Sequence, residues 1–72
     1  MAEVNEQIGQ AIKAVRLNRG LSLSQLGKLI NRSPKTISAY EHGRITIPAT
    51  ILLDISEVMG VSINRLLPAR KG

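Results

Sequence analysis

Residues that end helices occur at short intervals along this chain and limit it to a set of short helices. Gly20, Asn31, Gly43 and Gly60 each follow a stretch whose apolar residues recur at helical spacing, and Pro68 follows the last such stretch. Glycine and asparagine accept the left-handed backbone that ends many helices, and proline cannot continue one. No stretch shows the apolar–polar alternation of a strand. The sequence therefore predicts an all-α fold, a compact bundle of five helices.

The first two predicted helices have recognisable ends. Asn5 is a favourable N-cap for the first helix, which Gly20 ends. Ser22 begins the second helix, and Gln25 follows three residues later, which is the spacing of a capping box. Asn31 ends this helix because asparagine tolerates a positive φ angle almost as glycine does.

The third helix has the clearest start, and two more helices follow it. Ser33 is its N-cap, and Pro34 occupies the first helical position, where the missing N–H costs nothing. A fourth helix is predicted over 49–59 and a fifth over 62–67, with a flexible tail at 69–72. The 72 residues make one domain near the lower size limit for a stable core.

Positive charge is concentrated in the middle of the chain. The net charge is +5. Most of the basic residues lie between positions 13 and 44: Lys13, Arg16, Arg19, Lys28, Arg32, Lys35 and Arg44. Glu41 is the only acid in that span. Such a segment would attract a polyanion such as nucleic acid, and the alternative is a solvated basic surface; charge alone leaves both open.

Several functional classes find no support in the sequence. No paired acids, Ser-His arrangement or glycine-rich phosphate loop points to an enzyme. One histidine and no cysteine make a metal site or a cofactor unexpected. The single aromatic residue, Tyr40, is too little for stacking on single-stranded RNA. With no apolar run of about 18–20 residues and no signal segment, a cytoplasmic protein without membrane contact is expected.

The second and third helices have the spacing of a helix-turn-helix over about 22–42. Gly27 provides the small residue that is needed where the two helices cross. Asn31 follows four positions later in the turn, and Ile37 six positions after that, where a β-branched side chain must pack back on the first helix.

Three stretches carry a resemblance to a known family: "IGQAIKAVRLNRGLSLSQLGKLI", "SPKTISAYEHGR" and "MGVSINRLL". Together they cover about 8–67, and in them the chain resembles the Cro/phage-repressor (XRE-type) helix-turn-helix family. The resemblance implies a five-helix bundle that binds double-stranded operator DNA as a homodimer. Two departures are Asn31 in place of the usual turn glycine and Gly27 in place of the usual alanine. Gly27 would weaken its helix by about 1 kcal/mol relative to alanine.

The resemblance also assigns roles to individual residues of the third helix and its surroundings. Four residues would contact bases: Lys35, Thr36, Ser38 and Ala39. Seven would contact phosphates: Arg16, Ser24, Gln25, Arg32, Ser33, His42 and Arg44. For Lys35 a phosphate contact is an equal alternative to a base contact, and Ser33 is expected to cap the helix in either case.

Two further expectations come from the same resemblance. Arg16 and Glu41 would form a structural ion pair that explains the lone acid in the basic segment. Ile63, Leu66 and Leu67 would form the dimer interface, with packing under the fourth helix as the alternative.

A small Cro-like repressor on a palindromic operator is therefore the leading functional hypothesis, in a prokaryotic cell and encoded by a plasmid or phage. The alternative is an antitoxin or regulatory subunit whose main task is to bind a protein partner.

Overall fold

Four α-helices and one short 3₁₀ helix make up the computed structural model, which describes residues 2–68. The α-helices are α1 (Ala2–Asn18), α2 (Leu23–Ile30), α3 (Pro34–Glu41) and α4 (Ala49–Met59), and the 3₁₀ helix is Ile63–Arg65. These residues contain no strand, so the predicted all-α class is confirmed. The predicted tail at 69–72 lies outside the described residues.

The fifth predicted helix is wrong as an α-helix. In place of a helix over 62–67 the chain makes a single 3₁₀ turn, in which the Leu66 N–H donates to Ile63 O at 2.9 Å. The segment is too short to nucleate an α-helix, and Pro68 prevents its extension.

The predicted start of α1 at Asn5 is also wrong. The helix includes Ala2, and Asn5 lies inside it with its side-chain amide donating to Thr46 Oγ1 at 3.2 Å. Asn5 therefore ties α1 to the loop between α3 and α4 instead of capping α1. The side chain that local preference would use as an N-cap makes a tertiary contact instead.

The predicted caps of α2 and α3 are confirmed. Ser22 Oγ accepts from the Gln25 N–H at 3.0 Å, and Gln25 Oε1 accepts from the Ser22 N–H at 2.7 Å, which completes the capping box. Ser33 Oγ accepts from the Thr36 N–H at 3.1 Å, with Pro34 at the first helical position. Asn31 ends α2 in the left-handed conformation, with φ 58°.

Each α-helix, and the residue that follows the 3₁₀ helix, contributes a fully buried apolar side chain to one core. These side chains are Ile12, Leu26, Ile37, Ile55 and Leu66. Burying a side chain of this size stabilises a fold by about 1.5–3 kcal/mol. The core thus depends on aliphatic contacts from all parts of the chain, and it fixes α3 against α1 and α2. Within 2–68, no helix has the length and apolarity needed to cross a membrane.

Helices α1 and α3 approach each other most closely at Gly9. A Cβ atom at this position would overlap the backbone carbonyl oxygens of Tyr40 and Glu41. Gly9 is therefore needed although it lies inside a helix, where glycine normally costs about 1 kcal/mol relative to alanine. The absent side chain allows the end of α3 to lie against α1.

We predict that Gly9→Ala destabilises the protein by about 1–3 kcal/mol, because the added methyl group must push α3 away from α1. Urea unfolding followed by circular dichroism measures the change. Gln10→Ala, at the exposed next position, is the control and should shift stability by less than about 0.5 kcal/mol. An unchanged or raised stability for Gly9→Ala would contradict the close approach.

Candidate nucleic-acid interface

The turn between α2 and α3 is held by a hydrogen bond that returns to α2. The Arg32 N–H donates to Gly27 O at 2.8 Å, which the left-handed Asn31 makes possible. A Cβ atom on Gly27 would overlap Arg32 O. Gly27, where the family usually has alanine, thus leaves space for the backbone of this turn. That space compensates for the poor helix propensity of glycine.

The outer side of α3 carries small or polar side chains. Lys35 is exposed, and Thr36, Ser38 and Ala39 are partly exposed. On the opposite side Ile37 and Tyr40 are buried. Tyr40 therefore belongs to the core. Because the large apolar side chains point inward, the outward side of α3 carries short side chains apart from Lys35.

Hydrogen bonds order the side chains at both ends of α3. At the start, Ser33 Oγ lies 2.9 Å from Thr36 Oγ1, in addition to capping the helix. At the end, His42 Nδ1 lies 2.8 Å from Ser38 O and 3.4 Å from Ser38 Oγ. These contacts restrict the rotamers of polar groups that face solvent.

Most residues expected to contact phosphates are exposed around α3. They are Ser24, Gln25, Arg32, Ser33, His42 and Arg44. The guanidinium of Arg32 also donates to Asn31 O at 2.8 Å, so that its charge stays close to the turn. Exposed polar and cationic groups therefore flank α3 at its start and at its end.

Arg16 and Glu41 lie together as a buried ion pair. Arg16 Nε donates to Glu41 Oε2 at 2.6 Å, and Nη2 donates to Glu41 Oε1 at 3.1 Å, which makes the pair bidentate. Arg16 Nη1 donates to Leu21 O at 2.8 Å. One guanidinium thus joins α1 to the end of α3 and to the turn before α2.

The roles predicted for two site residues do not fit the structure. Arg16 is only 6% exposed and directs its donors at Glu41 and Leu21, so the expected phosphate contact does not fit its position. Leu66 has no exposed surface because it fills the core, so it is unavailable to a dimer interface. Ile63 is partly buried against the core, whereas Leu67 is 40% exposed.

Lys28 belongs to the predicted basic segment but was given no contact of its own, and it is exposed on α2. The contact between His42 and Ser38 went unrecognised, although their spacing of four residues is that of neighbours on one helical face. Among residues 2–68, no three His, Cys, Asp or Glu side chains converge in a way that would hold a metal ion.

Comparison with protein families agrees with this geometry. The helix-turn-helix family model of the XRE type matches residues 12–66, which is most of the chain. The chain therefore belongs to the helix-turn-helix family.

Solved structures share the fold over nearly the whole chain. The DNA-binding domain of BldD is 26% identical with a TM-score of 0.85, and the match covers 94% of this chain and 99% of that one. The clp gene regulator ClgR from Corynebacterium glutamicum is 25% identical with a TM-score of 0.83, over 88% of this chain and 82% of that one. The fold also forms part of Co(II) HppE in complex with substrate: 27% identity and a TM-score of 0.84, over 90% of this chain but 36% of that one.

A curated relative is much longer than this chain. A Yarrowia lipolytica (strain CLIB 122 / E 150) protein named as a multi-protein-binding factor 1 is 29% identical over 62 residues. The match covers 86% of this chain and 41% of the relative, so the chain spans about two fifths of that protein's length.

We predict that Glu41→Gln lowers the free energy of unfolding by about 3 kcal/mol, because it leaves the buried Arg16 charge without its counter-ion. Urea unfolding is the measurement. Glu57→Gln, which removes an exposed carboxylate on α4, is the matched control and should change stability by less than about 0.5 kcal/mol. Equal small losses for both variants would mean that the pair does not hold the fold.

Proposed function

We propose that the protein is a sequence-specific regulator of transcription that binds double-stranded DNA through α3. The observation that carries the proposal is the low, polar outer side of α3, next to exposed cations at both of its ends. A helix that enters the major groove, which is about 12 Å wide, cannot be bulky on its leading side. BldD and ClgR, whose structures are described as a DNA-binding domain and a gene regulator, support the same function.

Base contacts are assigned to the outward side of α3 near its N-terminal half, as in other recognition helices. Lys35 is the most exposed donor there, Thr36 and Ser38 offer hydroxyl groups, and Ala39 provides a methyl group for a thymine.

Phosphate contacts are assigned to the exposed groups that surround α3. Arg32 and Arg44 supply full charges at its two ends, and Ser33, Ser24 and Gln25 supply hydrogen bonds. His42 donates to a phosphate through Nε2 when its ring is charged. The first N–H groups of α2 add partial positive charge at the start of that helix. These contacts set the orientation of α3 on the duplex and dominate the affinity without selecting a sequence.

Repression by a dimer is the mechanism that we propose. A second copy related by a two-fold axis would place the two α3 helices about 34 Å apart, one turn of DNA, so that a palindromic operator fits both. Leu67, with Ile63 beside it, is the apolar group available for this contact. The bound dimer would prevent polymerase from reaching the promoter without any chemical step.

Binding of a protein partner is the second candidate function. The name of the Yarrowia lipolytica relative refers to binding several proteins, and this chain corresponds to two fifths of it. Leu53 and Val58 on α4 are exposed and could contact such a partner. A stoichiometric protein that co-purifies with the chain and competes with DNA would favour this function.

The proposed DNA contact is tested with the DNA upstream of the protein's own gene and a scrambled duplex, each titrated at several salt concentrations. Wild-type protein should prefer the upstream duplex, and its affinity should fall steeply with salt because counterions are released. Equal affinity for both duplexes would contradict sequence-specific regulation, and a flat salt response would contradict phosphate binding.

We predict that Arg44→Ala weakens binding to both duplexes and reduces the salt slope by about one, because one phosphate contact is lost. The matched control is Arg65→Ala, which removes the same charge from the 3₁₀ helix, beside α1. It should leave the slope nearly unchanged. Equal effects of the two variants would indicate a response to net charge alone.

We predict that Leu67→Glu weakens the dimer, because it places a charge in the proposed apolar contact. Sedimentation equilibrium should show a shift toward monomer, and affinity for a two-half-site duplex should approach that for a single half-site. Leu17→Glu, at an exposed leucine on α1, is the control. A dimer that tolerates Leu67→Glu would place the interface elsewhere.

A further inference from the structure

His42 and Ser38 form a contact on the side of α3 assigned to DNA. They lie four residues apart, so that the ring of His42 lies beside Ser38 one helical turn earlier. His42 Nδ1 is 2.8 Å from the backbone oxygen of Ser38 and 3.4 Å from its side-chain oxygen. His42 is exposed and Ser38 is partly exposed, so both remain accessible.

The shorter of these two contacts determines which ring nitrogen of His42 carries a hydrogen. A carbonyl oxygen accepts hydrogen bonds and cannot donate them, so His42 Nδ1 must carry the hydrogen. The same nitrogen is then the donor toward Ser38 Oγ as well. This holds for the neutral ring in its Nδ1–H tautomer and for the charged ring, because Nδ1 is protonated in both.

The hydrogen of the Ser38 hydroxyl group is consequently left for another acceptor. Its oxygen accepts from His42, and within residues 2–68 the hydroxyl donates to no other protein group. A serine hydroxyl normally donates or accepts as its surroundings require. Beside His42 the hydroxyl hydrogen points away from the histidine and one of the two lone pairs of its oxygen is occupied, which favours Ser38 as a donor.

We propose that His42 is a positioning residue that makes Ser38 a hydrogen-bond donor to a base, and that Lys35 and Ser38 together select guanine. This inference rests on the proposed DNA contact of α3. Lys35 is three residues before Ser38, on the same helical face, and its ammonium group can only donate. Two donors side by side match the major-groove edge of guanine, which presents the acceptors N7 and O6.

The other bases fit this pair less well. Adenine presents one acceptor and one donor on its major-groove edge, and cytosine presents a donor. A donor on the protein that faces a donor on the base leaves both groups unpaired. A serine without this neighbour can donate to guanine or accept from adenine. The contact with His42 occupies one of the two lone pairs of Ser38 Oγ, so that accepting from adenine is disfavoured relative to donating to guanine.

The experiment begins with selection of bound duplexes from a randomised library by wild-type protein, Ser38→Ala, His42→Ala and His42→Asn. The position at which Ser38→Ala loses its preference is the Ser38 contact, and wild-type protein should enrich guanine there. The selected duplex is then made with guanine, 7-deazaguanine or adenine at that position, and the dissociation constant of each variant is measured.

We assign Ser38 to N7 of guanine and Lys35 to O6. Wild-type protein should then bind the guanine duplex roughly three- to tenfold more tightly than the 7-deazaguanine duplex, which lacks N7. His42→Ala should reduce this ratio toward one. His42→Asn should keep it, because the asparagine Nδ2 carries two hydrogens and can donate to both Ser38 O and Ser38 Oγ in place of Nδ1. The ratio isolates the base contact, since loss of a phosphate contact weakens binding to both duplexes equally.

A double variant completes the test. If His42 acts through Ser38, Ser38→Ala and His42→Ala together should reduce the ratio no further than Ser38→Ala alone. The inference is overturned if His42→Ala keeps the wild-type ratio, if His42→Asn loses it while remaining folded, or if the Ser38 position does not enrich guanine. No enrichment at any position by wild-type protein would instead overturn the proposed function.

Discussion

The buried ion pair between Arg16 and Glu41 is the interaction on which the arrangement of the helices depends. Glu41 is the last residue of α3, where a negative charge opposes the helix dipole, and it is removed from water. Both effects are unfavourable unless a cation compensates. The bidentate guanidinium of Arg16 provides that compensation, and its third contact, to Leu21 O, extends the link to the start of α2.

The position of α3 follows from this pair and from the contact surface beside it. Gly9 allows the backbone of α1 to lie against the last turn of α3, and the Arg16 side chain then reaches Glu41 from the same helix. Ile37 and Tyr40 fill the space beneath α3, which leaves only Lys35 and small residues outside. The side of α3 that we assign to DNA is therefore the side that the core does not use.

Much of the helix-turn-helix could be predicted from the sequence because local chemistry determines it. Ser22 with Gln25, Asn31 in the turn, and Ser33 before Pro34 each satisfy a backbone requirement within a few residues. Such requirements are visible in sequence spacing alone.

The errors occurred where contacts distant in sequence overrule local preference. Asn5 is a good N-cap, yet Thr46, far along the chain, binds its side chain inside α1. Leu66 is apolar, as an interface residue often is, but it is completely buried in the core. Gly9 gave no signal as a close contact, because nothing nearby in the sequence reveals that the end of α3 lies against it.

Side-chain contacts in the candidate site were equally hard to predict from the sequence. Resemblance to a family predicted which residues would face DNA, but it did not predict that Arg16 is enclosed by its partners or that the ring of His42 contacts Ser38. Both properties depend on side-chain conformations that spacing leaves free. Arg16 therefore supports α3, and His42 is a neighbour of Ser38, to which we assign a base contact.

Nuclear magnetic resonance can test whether α1 holds α3 so that the outer side of α3 meets DNA. A chain of 7.8 kDa permits residue-by-residue amide assignment. On titration with the selected duplex, we predict that the largest shift changes occur over 33–44 and at the first turn of α2. Changes centred on α4 and the 3₁₀ helix, with α3 unaffected, would contradict it.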